Sequence, residues 1–198
     1  HRAMACSSCL RFIFIWLVGG ALVSGGLSAC GTTLKSQHVS PEELAEEAQK
    51  QREIALLDRA ELSRSMHNVG YDVLTHGAPL CGAKTKPTLG MAFWSAESFA
   101  KDMRAAAKNV FKLTNGVHIS RVAENGVAAK AGLQVGDHLI KLGTHEVAPG
   151  QDGVEALRAY VEENLTKAPV RLVYARADSV NTTTLTPAHT CDLQVVYS

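Results

Sequence analysis

Between Glu124 and Ile140 the chain reads ENGVAAKAGLQVGDHLI, and this stretch constrains the fold more than any other. It follows Val117-His118-Ile119-Ser120-Arg121-Val122, which alternates with a period of two, the pattern of a half-buried strand. Val127 to Ala131 are small residues suited to one short helix. Gly132 then falls just past that helix, where a left-handed backbone is needed and glycine adopts it without steric cost. From there Leu133 can fold back onto a core, and Gly136-Asp137 turns the chain into a second strand, Leu139 to Leu142. A strand, a helical turn and a strand packed so closely together point to an α+β domain of short elements.

The flanking sequence supplies the rest of such a domain. A helix is predicted from about Ser98 to Leu113, a strand over Val170 to Ala175 and another over Thr182 to Leu185. Asp152 to Leu165 predicts a helix whose Val154, Leu157, Val161 and Leu165 form an apolar stripe at helical spacing. By itself that stripe reads as core packing.

The Ala131-Gly132-Leu133 and Gly136-Asp137 spacing resembles the PDZ domain, in the permuted form of bacterial periplasmic proteases. The likeness runs over roughly Lys86 to Pro187. It departs in two places: Gly126-Val127-Ala128 lacks a Ser-Pro, and Leu142-Gly143 stands where an Asn-Gly is usual. The resemblance implies a small β-barrel with two or three helices, and a peptide-binding loop at the start of the domain. Pro87-Thr88-Leu89-Gly90-Met91-Ala92-Phe93 fits that loop. On this reading amides around Leu89, Gly90 and Met91 form an anion nest for a terminal carboxylate. A peptide then adds as an edge strand beside Met91, Ala92, Phe93 and Trp94. The opposite wall is the helix of residues 152–165, with one or two of Val154, Leu157, Arg158 and Val161 facing the groove. The competing readings are a ligand-free structural turn for the loop and core packing for the stripe.

The N-terminal part has a different character. Of the first 29 residues 18 are hydrophobic, with Arg2 and Arg11 the sole cations and no carboxylate. The run Phe12 to Leu27 is too short for a bilayer span, which needs about 20 apolar residues, and ends in small residues as a secretory leader does. Leu27-Ser28-Ala29-Cys30 resembles the bacterial lipobox, which implies cleavage before Cys30 and lipidation of its thiol; the competing reading is a plain signal peptide cut after Ala29. Two or three acyl chains anchor a protein stably without spanning. The expected location is therefore the periplasmic side of a bacterial membrane, with Gly31 after the cysteine favouring the outer one by resemblance.

Past the leader, 18 cations face 19 anions, so there is no electrostatic reason to invoke nucleic acid. Residues 30–39 form a short tether. Ser40-Pro41-Glu42-Glu43 is a helix start with a cap, a proline at the first helical position and a capping box. The helix should run from Pro41 to Arg64 or beyond, with Leu44, Ala48, Ala55 and Leu62 along one stripe. It reads as a spacer or docking helix over 40–80, or as a solvated helix packed on its own domain. Cys6 and Cys9 precede the cleavage point, and Cys30 carries lipid. Cys81 and Cys191 remain, bracketing the domain, and in an oxidising compartment they are expected to pair rather than stay free.

Catalytic chemistry is missing. His145-Glu146-Val147-Ala148-Pro149 begins like a zinc-peptidase HExxH, but Pro149 stands where the second histidine must be. No nucleophile elbow or phosphate loop occurs. The expectation is a non-enzyme that needs no cofactor or metal, a lipid-anchored module that captures C-termini or unfolded segments of envelope proteins. A second resemblance gives the alternative. Membrane-anchored HExxH zinc peptidases can carry an N-terminal part with this order: charged helix, cysteine, Leu-Gly loop, PDZ domain, second cysteine. On that resemblance residues 188–198 are a C-terminal strand or the start of a further segment, and the chain is the regulatory part of a peptidase or a stand-alone relative.

Overall fold

The computed structural model describes residues 39–177 and 179–193. The leader, the lipobox with Cys30 and the end of the C-terminal run lie outside the described residues.

Helix α1 spans Pro41–His76. The capping box is formed: Glu43 N–H donates to Ser40 Oγ at 3.1 Å, and Ser40 N–H donates to Glu43 Oε2 at 2.7 Å. These bonds favour the ionised carboxylate and hold the Glu43 pKa below its ordinary value. The helix ends at Gly77, and a 3-10 turn, Ala78–Cys81, leads into β1, Thr85–Thr88. Strand β2 (Met91–Trp94) follows at once, then a 3-10 turn at Ala96–Ser98, helix α2 (Arg104–Phe111) and strand β3 (Val117–Val122). Next come α3 (Val127–Lys130), β4 (His138–Leu142), β5 (His145–Glu146) and α4 (Gly150–Asn164). Strands β6 (Val170–Arg176), β7 (Ser179–Leu185) and β8 (Ala188–Cys191) complete the order.

The strands pair as two sheets. One has the order β2-β3-β4-β6-β7, with β5 attached to β4; the other is the antiparallel pair β1-β8. The main core lies between the larger sheet and α4. Ile119, Leu139, Leu142, Leu157, Leu172 and Leu185 meet there, each at most 1% exposed. Gly132 is left-handed at φ 77°, which lets Leu133 N–H reach Ala128 O at 3.0 Å and turn its side chain into the core. Asp137, 2% exposed, takes Gln134 N–H at 2.8 Å and a two-pronged contact from Arg176 at 2.7 Å. That explains the Gly-Asp pair: the carboxylate ties the turn before β4 to the end of β6.

Two local expectations are corrected. The helix predicted from Ser98 to Leu113 is interrupted. Ser95 N–H donates to Ser98 Oγ at 3.1 Å, closing the 3-10 turn, and Phe99 is extended, so α2 begins only at Arg104. Strand β3 is not uniformly half-buried, because Val117, His118 and Ile119 are all buried. His118 turns to the other face of the strand, where Nε2 accepts Thr114 N–H at 3.2 Å and Nδ1 lies 3.1 Å from Gly136 O.

Cys81 and Cys191 form a disulfide with their Cα atoms 5.6 Å apart, closing a separation of 110 residues. In the chain-entropy account such a long loop contributes about 4–5 kcal/mol.

Helix α1 packs on the domain, but not by the stripe its periodicity suggests. Leu44 and Leu62 are 60% and 62% exposed, and Leu56 is its buried apolar residue among those described. Leu56 sits in a second apolar cluster with Ala106, Ala107 and Leu113, and the rest of the docked face is largely polar. Asn68 exchanges two hydrogen bonds with Glu124, at 2.8 and 3.1 Å, and Arg64 pairs with the same carboxylate at 2.6 Å. Arg121 Nη1 donates to Ser63 Oγ. Farther back, Asn109 of α2 donates to Glu53 at 2.8 Å.

Candidate functional site: a strand edge between two helices

Thr88 to Met91 carries the chain from one sheet to the other. Leu89 is 2% exposed and belongs to the main core; its carbonyl accepts Ala128 N–H at 3.0 Å, and the Gly90 carbonyl accepts Ala123 N–H at 2.8 Å. Both carbonyls are thus committed to the β3-α3 connection. The Gly90 amide points the other way, donating to Thr88 Oγ1 at 3.2 Å. Gly90 sits at φ 68°, and a Cβ there would stand 3.0 Å from Gly126 Cα and 3.0 Å from the Tyr71 ring. Conformation and space both require glycine.

Strand β2 is an edge of the larger sheet: β3 pairs one side, while the other faces α4. Main-chain groups on that side have no strand partner in the sheet. The walls of the resulting groove divide by burial. Phe93 is 5% exposed and Val154 and Leu157 are 0% exposed, so these three serve the core. Met91, Ala92 and Val161 are half-buried and available along the rim. Arg158 is exposed and reaches across the gap, its Nη2 donating to Phe93 O at 3.2 Å. Here a side chain fills an acceptor position on the β2 edge.

Beside this edge, α1 encloses a cavity of about 330 Å³ against β2 and β3. Trp94, Phe99 and Phe111 form its aromatic wall, with Trp94 centred 4.5 Å from Phe111 and 5.3 Å from Phe99. Arg59, Arg121 and Arg158 also line it, and no carboxylate does. Trp94 Nε1 and Ser120 Oγ are buried in this lining without a hydrogen-bond partner. Nothing in the chain's periodicity brings residues 59, 94, 121 and 158 together. The docking of α1 does so, largely through polar residues that carry no hydrophobic pattern.

Two groups on α1 border the loop. Burial raises the Tyr71 pKa, opposed by a hydrogen bond with the Val127 backbone. His67 is held below its ordinary pKa by burial and by repulsion from Arg121.

His145 and Glu146 form β5 rather than part of a helix, and the His145 ring stacks on Tyr160 at 4.9 Å. Among the described residues no group of three His, Cys, Asp or Glu side chains could hold a metal ion. No helix among them is long and apolar enough to cross a membrane.

Comparison with known proteins agrees on the domain. Residues 118–176 match the family model described as a PDZ domain. The chain resembles the HtrA3 PDZ domain bound to a phage-derived ligand (FGRWV), at 18% identity and a TM-score of 0.39, over 54% of this chain and 88% of that one. It also resembles the HtrA-type protease AlgW with a decapeptide, at 17% identity and a TM-score of 0.42, over 58% of this chain but 32% of that one. No curated protein matches. The described unit is an α+β fold with a PDZ-like sheet domain behind an N-terminal helix.

Proposed function

We propose that this chain is a peptide-binding module, anchored on the periplasmic side of a bacterial membrane through lipid on Cys30, that captures C-termini or extended segments of envelope proteins. The observation that carries it is the side of β2 that faces α4, a sheet edge with no strand partner, entered from the Thr88–Met91 loop. A peptide laid antiparallel to β2 gains main-chain hydrogen bonds along Met91 to Trp94, which give affinity without sequence preference. Its terminal carboxylate meets the amides of Leu89 to Met91, where the Gly90 N–H exchanges Thr88 Oγ1 for a charged acceptor and forms the stronger bond. Val161 and Met91 supply apolar contact for the last side chain. The chain itself performs no catalysis on this reading.

Titrating the full chain in detergent with a library of free-carboxylate peptides tests the groove. Binding in the micromolar range is expected, weakened at least about tenfold by C-terminal amidation, since a charged hydrogen bond is worth about 1.5–3 kcal/mol. Binding indifferent to amidation and to Gly90→Val would defeat the carboxylate-loop assignment. Metabolic labelling with a fatty-acid analogue tests the anchor: label lost in Cys30→Ser is expected, and label retained there sinks it.

The order of charged helix, Cys81, Leu89-Gly90 loop and Cys191 supports a second reading, the substrate-recruiting part of a membrane-anchored zinc peptidase. Reading the gene beyond Ser198 decides it: an HExxH segment supports this version, and an immediate stop codon ends it.

A further inference from the structure

We propose that the cavity between α1 and the outer face of β2 and β3 is an acidic side-chain subsite of the peptide groove. In it a ligand Glu or Asp three residues before the C-terminus pairs with Arg59 and Arg158 and draws Arg158 off the β2 edge. This rests on the strand-addition reading and gives it a sequence preference.

The position follows from strand geometry. With the terminal residue opposite Met91, successive upstream residues lie opposite Ala92, Phe93 and Trp94, and their side chains alternate between the two faces. Phe93 belongs to the main core, whereas Trp94 packs in the second cluster with Leu56 of α1. The residue opposite Trp94 therefore turns outward, toward the cavity.

The chemistry follows from the lining. Three guanidinium groups share the space with no carboxylate. Arg121 is bonded to Ser63, which fixes one charge in place. Arg59 makes no ion pair or hydrogen bond among the described residues, and Arg158 makes its one bond to Phe93 O. Trp94 Nε1 and Ser120 Oγ add two buried donors in need of acceptors, which a carboxylate can supply. Arg158 also links this pocket to the edge. While it holds Phe93 O, that carbonyl is closed to an added strand. A carboxylate in the cavity offers Arg158 a charged acceptor instead of a neutral one, and the ligand N–H then takes Phe93 O, so no hydrogen bond is lost.

The test uses the full chain and eight-residue peptides with free C-termini, identical except for Glu, Gln or Lys three residues before the last, plus one with Glu shifted by a single position. The Glu peptide is expected to bind about five- to tenfold tighter than the Gln peptide, the Lys peptide more weakly than both, and the shifted Glu to gain nothing. Arg59→Gln and Arg158→Gln should each shrink the Glu advantage. Arg158→Gln should tighten binding of the Gln peptide, because Phe93 O is no longer latched. Both sites are exposed, and unchanged thermal melts establish that the variants fold. Equal binding of Glu and Gln peptides, or a Glu advantage that survives both substitutions, overturns the subsite while leaving strand addition standing. Tightening by free glutarate without any peptide register effect also overturns it, assigning the arginines to a simple anion. If no free-carboxylate peptide binds at all, the strand-addition reading fails and takes this proposal with it.

Discussion

Helix α4 has 15 residues and buries Val154 and Leu157 completely, whereas α1 has 36 and buries only Leu56 among the residues described. The shorter helix is held by the hydrophobic effect, which scales with area and has no preferred direction. The longer one has a single buried apolar anchor, Leu56, and is otherwise held by Asn68, Arg64 and Ser63 against Glu124 and Arg121, contacts that contribute little energy but fix position closely. The difference separates what makes the domain fold from what shapes its site. The core determines that a groove exists, and α1 determines what chemistry lines one side of it.

The contrast can be broken most severely at Leu157. It is 0% exposed, and Leu157→Ala leaves a cavity in the main core, with an expected loss of about 2–5 kcal/mol in urea-induced unfolding. A loss below 1 kcal/mol would mean that α4 is not the principal wall of the core.

Acid should act next, and on both regions. His67 on α1 and His138 beside His118 have lowered pKa values, each mainly through burial, with Arg121 and His118 adding repulsion. Between the folded values and the ordinary 6.5 the unfolded chain binds more protons than the folded one. Stability should be complete above pH 6.5 and fall as pH drops below it through the folded values. His67→Gln and His138→Gln should each flatten that slope in a pH series of thermal melts; a flat profile in the wild type between pH 7 and 5 contradicts the assignment.

Asn68→Ala should have the smallest effect on global stability, within about 1 kcal/mol, since partly solvated hydrogen bonds contribute about that much. Its effect should be local, as faster amide exchange in Ser63 to Tyr71 with the main core unchanged. Exchange accelerated equally in β4 and β6 would show the two regions to be one cooperative unit.

The legible parts of this molecule are those written in neighbouring residues. The capping box at Ser40, the left-handed Gly132 and the Gly136-Asp137 turn all follow from local stereochemistry, and each lies where expected. The loop at Gly90 could be placed only by resemblance, yet its reason is physical and nonlocal: Tyr71 and Gly126 leave no room for a side chain. The docked face of α1 was not legible, because Ser63, Arg64 and Asn68 look like any wet helix surface. Its apolar stripe is not the docked face, and Leu62 faces outward. The cavity was hidden for the same reason, being assembled from residues scattered over a hundred positions of chain.

The Cys81–Cys191 bond also sets a path for mechanical load. Tension applied at the start of α1 and at residue 193 reaches the two sulfurs and passes straight between them, bypassing the 110-residue loop that contains every strand of the groove. Only α1 and the 3-10 turn that follows it lie in series with the pull. Stretching the molecule therefore peels away the helix that carries Arg59 while the sheet stays slack behind its covalent clasp, making the roof of the cavity its one tension-sensitive part.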